Sequence, residues 1–96
     1  MTLMRVRLLK DIAAEIERDW RPVGRMARPY VNAMKQLQSL DDSIHIEPAA
    51  RIVVSFLSVA GTWRGPVARR VKLELKAMLA LHKNSSAIAI IEPQSN

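Results

Sequence analysis

The chain has 96 residues, of which 49% are hydrophobic and 25% charged, with a formal net charge of +6 and no cysteine. This length predicts a single domain, and the hydrophobic fraction is too high for a disordered chain. The absence of cysteine excludes disulfides and thiolate chemistry. No apolar run is long enough to span a bilayer or resembles a signal peptide, so we expect a soluble, cytoplasmic protein.

The first predicted element is a helix over about residues 5–19. Leu9, Ile12 and Ile16 recur at the spacing of three and four residues that marks one helical face. Charged residues occupy the other face, as in an amphipathic helix that packs on a core. The segment 21–24 contains a proline and a glycine, and it ends this pattern.

A second helix is predicted to begin near Met26 or Pro29 and to run to about Leu40. Pro29 suits a first-turn position, where its missing N–H costs no hydrogen bond. A loop follows, and then the short alternating run Ile44–Ile46, which is typical of a strand.

A third helix is predicted to start at Pro48 and to end at Gly61. Its apolar positions are Ala49, Ile52, Val53, Phe56, Leu57, Ala60 and Trp63. Because Arg51 is the only charge between Pro48 and Trp63, we expect this helix to be covered on most sides.

The fourth predicted helix runs from about Pro66 to Lys83, and Asn84 is a suitable stop. Residues 1–84 are therefore predicted to form one helical domain, and residues 85–96 a tail. The tail is either flexible, paired as a weak strand with Ile44–Ile46, or exchanged with a second copy in a homodimer. The predicted fold class is all-α, a compact bundle or orthogonal array of about four helices.

The sequence favours a non-enzymatic protein without a catalytic residue, metal or cofactor. It contains no nucleophile elbow and no glycine-rich phosphate loop. One polar cluster, at Asp41, Asp42, His45 and Glu47, lacks the spacing of a metal site, and its aspartates are predicted to serve a turn. His82 is predicted to be a partly buried structural residue.

The fourth helix is strongly basic, which predicts an acidic macromolecule as the partner. The predicted binding residues are Arg64, Arg69, Arg70, Lys72, Lys76 and Lys83, with Trp63 beside them and a second patch at Arg21, Arg25 and Arg28. Trp63 is expected in the core, with a role as an interface anchor as the alternative.

Two classes of partner remain open for this surface, beside the interpretation that it is a solvated face that only keeps the domain soluble. The first is an acidic host protein, which the chain would bind and modulate. The alternative is nucleic acid, because a helix, a turn and a basic helix also outline a helix-turn-helix. Asparagine and glutamine are absent from residues 66–83, so arginine and lysine would contact phosphates rather than read bases. No membrane partner is expected.

Three segments carry a resemblance to a known group of proteins. They are Ala27–Met34, Ile52–Leu57 and Thr62–Lys76, the last with the pattern TWRG, then AR, then K-ELK. The chain resembles small helical proteins of bacteriophages and prophages, a group without an established activity, over about residues 27–79. The resemblance implies a bacterial cytoplasm and a small accessory gene product, and it implies no chemistry.

Overall fold

The computed structural model describes residues 7–40, 43–44 and 47–95, with side chains over 7–40 and 47–82. A two-residue strand, Ser43–Ile44 (β1), pairs antiparallel with Glu47–Pro48 (β2). Four helices account for most of the described chain, and they confirm the predicted all-α class. They are α1 (Leu9–Asp19), α2 (Arg28–Met34), α3 (Ala49–Val59) and α4 (Pro66–Ser95).

A single hydrophobic core joins the four helices, and no polar or charged side chain of the described residues is buried. Helix α2 packs against both α1 and α3, and α4 packs against the same two helices. The faces predicted from helical spacing are the ones that point inward. The buried residues of α1, α3 and α4 are Leu9, Ile12, Ala13, Ile16, Ala49, Ile52, Val53, Phe56, Ala68, Val71, Leu75 and Met78.

Helix α2 is shorter than predicted, because the chain after Met34 is used to cap α1. The backbone N–H groups of Leu9 and Lys10 donate to the carbonyl oxygens of Gln38 (2.9 Å) and Leu37 (3.0 Å). The first N–H groups of a helix lack partners within it, and the side chain before α1, Leu8, accepts no hydrogen bond. The segment after α2 therefore supplies the acceptors that the start of α1 lacks.

Helix α3 is covered on most sides, as predicted, and its exposed residues form one narrow stripe. Arg51, Val54 and Ser58 are exposed, and 53% of Val54 is accessible to solvent. Arg51 and Ser58 are the polar members of this stripe, and Val54 is its apolar member.

Helix α4 continues to Ser95 and passes the predicted stop at Asn84 without a break. No glycine or proline lies between Val67 and Glu92, so nothing in the backbone chemistry forces an end there. Of the alternatives for the tail, pairing as a weak strand is not the one observed, because residues 85–95 are helical and β1 pairs with the nearby β2. The predicted turn residues Asp41 and Asp42, together with His45, lie outside the described residues.

None of the described helices combines the length and the apolar content needed to cross a membrane.

Candidate anion-binding surface

Three aromatic rings pack against one another where the end of α1, helix α3 and the connection before α4 meet. Trp63 is 2% exposed, and its ring stacks on that of Trp20 with centroids 5.6 Å apart and planes 4° from parallel. Phe56 meets both indole rings edge to face. The indole Nε1–H of Trp63 donates to Asp19 Oδ2 at 2.8 Å, which satisfies its only polar group.

Trp63 is therefore a core residue, which was the expected interpretation, and its burial disfavours the alternative role of an exposed interface anchor. Its side chain has almost no accessible surface to offer a partner. The same residue shapes the surface indirectly, because its backbone carbonyl accepts a hydrogen bond from Lys72 Nζ at 2.7 Å. The Lys72 ammonium also lies 6.0 Å from the centroid of the Trp63 ring, at the limit of a cation–π contact.

A pocket of about 320 Å³ opens above this corner, at the start of α4. The positively charged side chains of Arg64, Arg69 and Lys72 line it, and no carboxylate from the described part of the chain does. The remaining lining residues are Gly61, Gly65, Ala68 and Trp63. Two glycines and an alanine leave the space that bulkier side chains would fill, so the pocket is a concave site with three cations.

Glycine is required at one edge of this pocket. Gly65 has a φ of 111°, a backbone conformation that residues with a side chain rarely adopt. Its carbonyl oxygen accepts the N–H of Arg69 at 2.9 Å, the first hydrogen bond of α4. The Gly65–Pro66 pair thus directs the chain into the helix. It also fixes the position at the start of α4 from which the Arg69 side chain extends.

Burial and neighbouring positive charge both perturb Lys72. Its pKa is lowered from its ordinary value, first by burial and then by repulsion from Lys76 and Arg64. Both causes disfavour the protonated ammonium, and no carboxylate of the described residues pairs with it to supply a compensating negative charge. An anion in the pocket would supply one.

Arg70 is less available than predicted, because it belongs to an ion-pair network between α1 and α4. Arg70 Nη2 donates to Glu15 Oε2, and Arg7 Nη2 lies 2.8 Å from the other oxygen of that carboxylate. Arg7 also donates Nε and Nη2 to Glu74, at 2.9 and 2.6 Å. Glu74 on α4 therefore has a structural partner, and the Arg70–Glu15 pair connects α4 to α1.

This network predicts a loss of stability in acid. Burial raises the pKa of Glu15, but hydrogen bonds and charge from Arg70 and Arg7 outweigh it, and the net pKa lies below the ordinary 4.5. A carboxyl with a lowered folded-state pKa stabilises the fold above its unfolded pKa, and this contribution disappears as pH falls through the folded value. We expect Glu15→Gln to cost about 1 kcal/mol at neutral pH and to flatten the acid limb of stability against pH.

Urea unfolding between about pH 3 and pH 7 measures this effect. Glu47→Gln is the matched control, since its carboxylate lies 3.9 Å from exposed Arg51 and contributes little. Equal pH dependence in the wild type and in Glu15→Gln would contradict the assignment.

In the second basic patch, too, one arginine pairs with a carboxylate while the others are exposed. Arg28 Nη1 donates to Glu17 Oε2 at 3.0 Å, and Lys35 shares that oxygen at 3.1 Å. Arg21 and Arg25 are exposed, without a carboxylate within ion-pair distance in the described part of the chain. The turn that carries Arg21 and Arg25 begins just after Trp20, and the Trp20 ring stacks on Trp63 beneath the pocket.

The solvent side of α4 combines cations with apolar surface. Arg69 and Lys76 are exposed, and no carboxylate of the described residues pairs with either. Beside them lies a stripe that we call the α4 stripe, Leu73, Ala77 and Leu81, at intervals of four residues on one face. Leu73 is 61% exposed and Leu81 46%. The side chain of Lys83 falls outside the described residues.

Sequence reasoning missed the α4 stripe, although its spacing of four is readable in the sequence. The helical spacing of Val67, Val71, Leu75, Met78, Leu79 and His82 predicts one apolar face for α4, and Leu73 and Leu81 lie outside it. Sequence reasoning also missed Glu15 and Asp19 as partners of Arg70 and Trp63. No periodicity within one helix could have shown those contacts.

No group of histidine and acidic residues in the described chain could hold a metal ion. His82 is half-buried at the inner side of α4, where it was predicted to lie. Comparison with protein-family models, with curated proteins and with solved structures finds no match for this chain.

Proposed function

We propose that this chain is a small, non-enzymatic accessory protein of the bacteriophage type, which binds an acidic host protein in the bacterial cytoplasm and modulates it. The observation that carries the proposal is the α4 stripe lying beside Arg69 and Lys76, two exposed cations that pair with no carboxylate of the described residues. Exposed leucines at helical spacing beside positive charge are complementary to a helix that carries leucines beside aspartates or glutamates.

The α4 stripe favours a protein partner over nucleic acid. Covering the exposed side chains of Leu73 and Leu81 stabilises a complex only when the covering surface is apolar. A phosphate backbone laid along the same face would contact Arg69 and Lys76, but it would cover the two leucines with charge. Nucleic acid is therefore the alternative that the experiment must separate.

The partner segment is expected to be an amphipathic helix of about three turns or more. Leu73 and Leu81 are eight residues apart, or about 12 Å along α4. The acidic side chains of the partner would face Arg69 and Lys76, and they would steer its approach as well as fix its register.

A synthetic acidic helix tests the proposal directly. The probe is a peptide of about 18 residues with leucines every three or four positions, flanked by glutamates, and titrated against the full chain. We expect Leu73→Gln to weaken binding by roughly tenfold or more, as for an interface anchor. Lys76→Gln should weaken it less and should reduce its salt dependence.

The chain offers matched controls for both substitutions. Val54→Gln changes an apolar residue of similar exposure on α3, and Arg51→Gln removes an exposed arginine from the same helix. Neither should alter the affinity by more than about twofold. A salt series with generic duplex DNA completes the design. Tighter binding to DNA than to the peptide, with small equal losses for each cation and none for Leu73→Gln, would overturn the protein-partner proposal.

A further inference from the structure

We infer that the pocket at the start of α4 binds the dianion of phosphate or of a phosphate monoester. The inference concerns the pocket lined by Arg64, Arg69 and Lys72, and it does not rest on the proposed partner of the α4 stripe. Its ligand class follows from the charge, the volume and the preorganisation of that pocket.

The pocket concentrates positive charge. Three cationic side chains line one concave site, and none of the acidic residues of the described chain does. Elsewhere on the surface, Arg7, Arg28 and Arg70 lie against Glu74, Glu17 and Glu15. Arg64 and Arg69 have no such partner in the described chain, so the protein itself does not neutralise the pocket.

One of the three cations of the pocket is already held in place before a ligand binds. Lys72 is held by the backbone carbonyl of Trp63, itself fixed in the aromatic cluster, so ordering this ammonium adds little to the entropic cost of binding. One of its three N–H donors is used on that carbonyl, and two remain. The two guanidinium groups offer planar pairs of donors that match phosphate oxygens.

The pocket also favours a dianion over a single carboxylate. A phosphate monoester carries nearly two negative charges at neutral pH and presents three oxygens, enough to meet all three cations. A carboxylate has one charge and two oxygens. The first turn of α4 borders the site at Ala68, and the positive end of the helix dipole adds to the preference for an anion.

The volume of about 320 Å³ exceeds what a phosphate group alone needs, so an attached organic group can be accommodated. The glycines Gly61 and Gly65 line the pocket without side chains, which leaves room for such a group.

Amide chemical-shift titration of the full chain tests the inference, with four anions compared at constant ionic strength. They are inorganic phosphate, glycerol phosphate as a monoester, dimethyl phosphate as a diester that mimics the nucleic-acid backbone, and acetate. We expect saturable shifts at Gly61, Gly65 and Ala68 with the first two. The diester and acetate should bind at least about tenfold more weakly, since each carries a single charge.

Substitutions then assign the contacts. Arg64→Gln and Arg69→Gln should each weaken phosphate binding by about tenfold, and the double variant should abolish saturation. Both side chains are exposed and outside the core, so the variants are expected to fold. Arg51→Gln, on α3, is the control and should leave the affinity unchanged.

Three results would each overturn the inference. They are shifts spread evenly over exposed lysines and arginines, equal binding of acetate and phosphate, and a loss in Arg51→Gln as large as that in Arg64→Gln. Because the titration uses small anions and the isolated chain, its failure leaves the peptide experiment on the α4 stripe unaffected.

Discussion

Replacing Trp63 with alanine is expected to lower the free energy of unfolding by about 3–5 kcal/mol, the usual cost of removing a large aromatic residue from a packed core. Trp63 is 2% exposed, and it stacks on Trp20 and meets Phe56 edge to face. A chain of this length has a total stability of roughly 5–14 kcal/mol, so the substitution removes a large fraction of it.

Trp63→Phe separates the apolar contribution from the polar one. Phenylalanine keeps a ring in the cluster but loses the indole N–H that donates to Asp19 at 2.8 Å. Because Asp19 is exposed and water can replace the lost donor, we expect a cost of less than half that of the alanine substitution. Urea unfolding followed by far-ultraviolet circular dichroism measures both values.

Met26→Ala is the control for loss of apolar volume, since 68% of Met26 is exposed and its truncation should change stability by less than about 0.5 kcal/mol. If Trp63→Ala were to behave like Met26→Ala, the aromatic cluster would not be the support of the pocket corner. The position of Lys72 in the pocket depends on this cluster, because its ammonium donates a hydrogen bond to the backbone carbonyl of Trp63.

The starts of α3 and α4 could be predicted from the sequence because local chemistry decides them, whereas α1 begins at Leu9, about four residues after its predicted start. Pro66 and the preceding Gly65 mark the start of α4, and Pro48 precedes α3. The inward faces also followed from spacing, since Ile12 and Ile16 or Val71 and Leu75 can reach one core only from the same side of a helix.

The ends of α2 and α4 could not be predicted in the same way. The chain after Met34 leaves the helix because its carbonyls at Leu37 and Gln38 accept hydrogen bonds from the start of α1, almost 30 residues earlier in the sequence. This is a tertiary contact that no local propensity encodes. For α4, Asn84 is a good helix end but does not require one, and the chain around it tolerates the helix.

The predicted surface shows the limits of counting charges. Sequence alone gave equal weight to Arg64, Arg69 and Arg70. Folding pairs Arg70 with Glu15 and leaves the other two at a pocket. An exposed ion pair contributes little stability, but it decides which cations remain for a partner. That distinction depends on which helix packs against α4, and it requires the structure.

Gly24→Ala is expected to destabilise the protein by about 1–3 kcal/mol, the cost of forcing an extra group into a packed region. A Cβ at this position would lie 2.7 Å from Trp20 Cζ2 and 3.1 Å from Cη2. The indole ring cannot withdraw freely, because it is stacked on Trp63 and meets Phe56 edge to face.

Gly61→Ala is the matched control, because nothing lies within 4 Å of its added Cβ. Restricting the unfolded chain should make that variant neutral or more stable by up to about 1 kcal/mol. The cause of the loss at Gly24 can be isolated by adding Trp20→Phe, which removes the atoms that clash. In that background Gly24→Ala should cost much less, so the two substitutions should be non-additive. An additive result, or a Gly24→Ala variant as stable as Gly61→Ala, would mean that Trp20 does not rest on this glycine, and that the turn carrying Arg21 and Arg25 is not tied to the pocket corner.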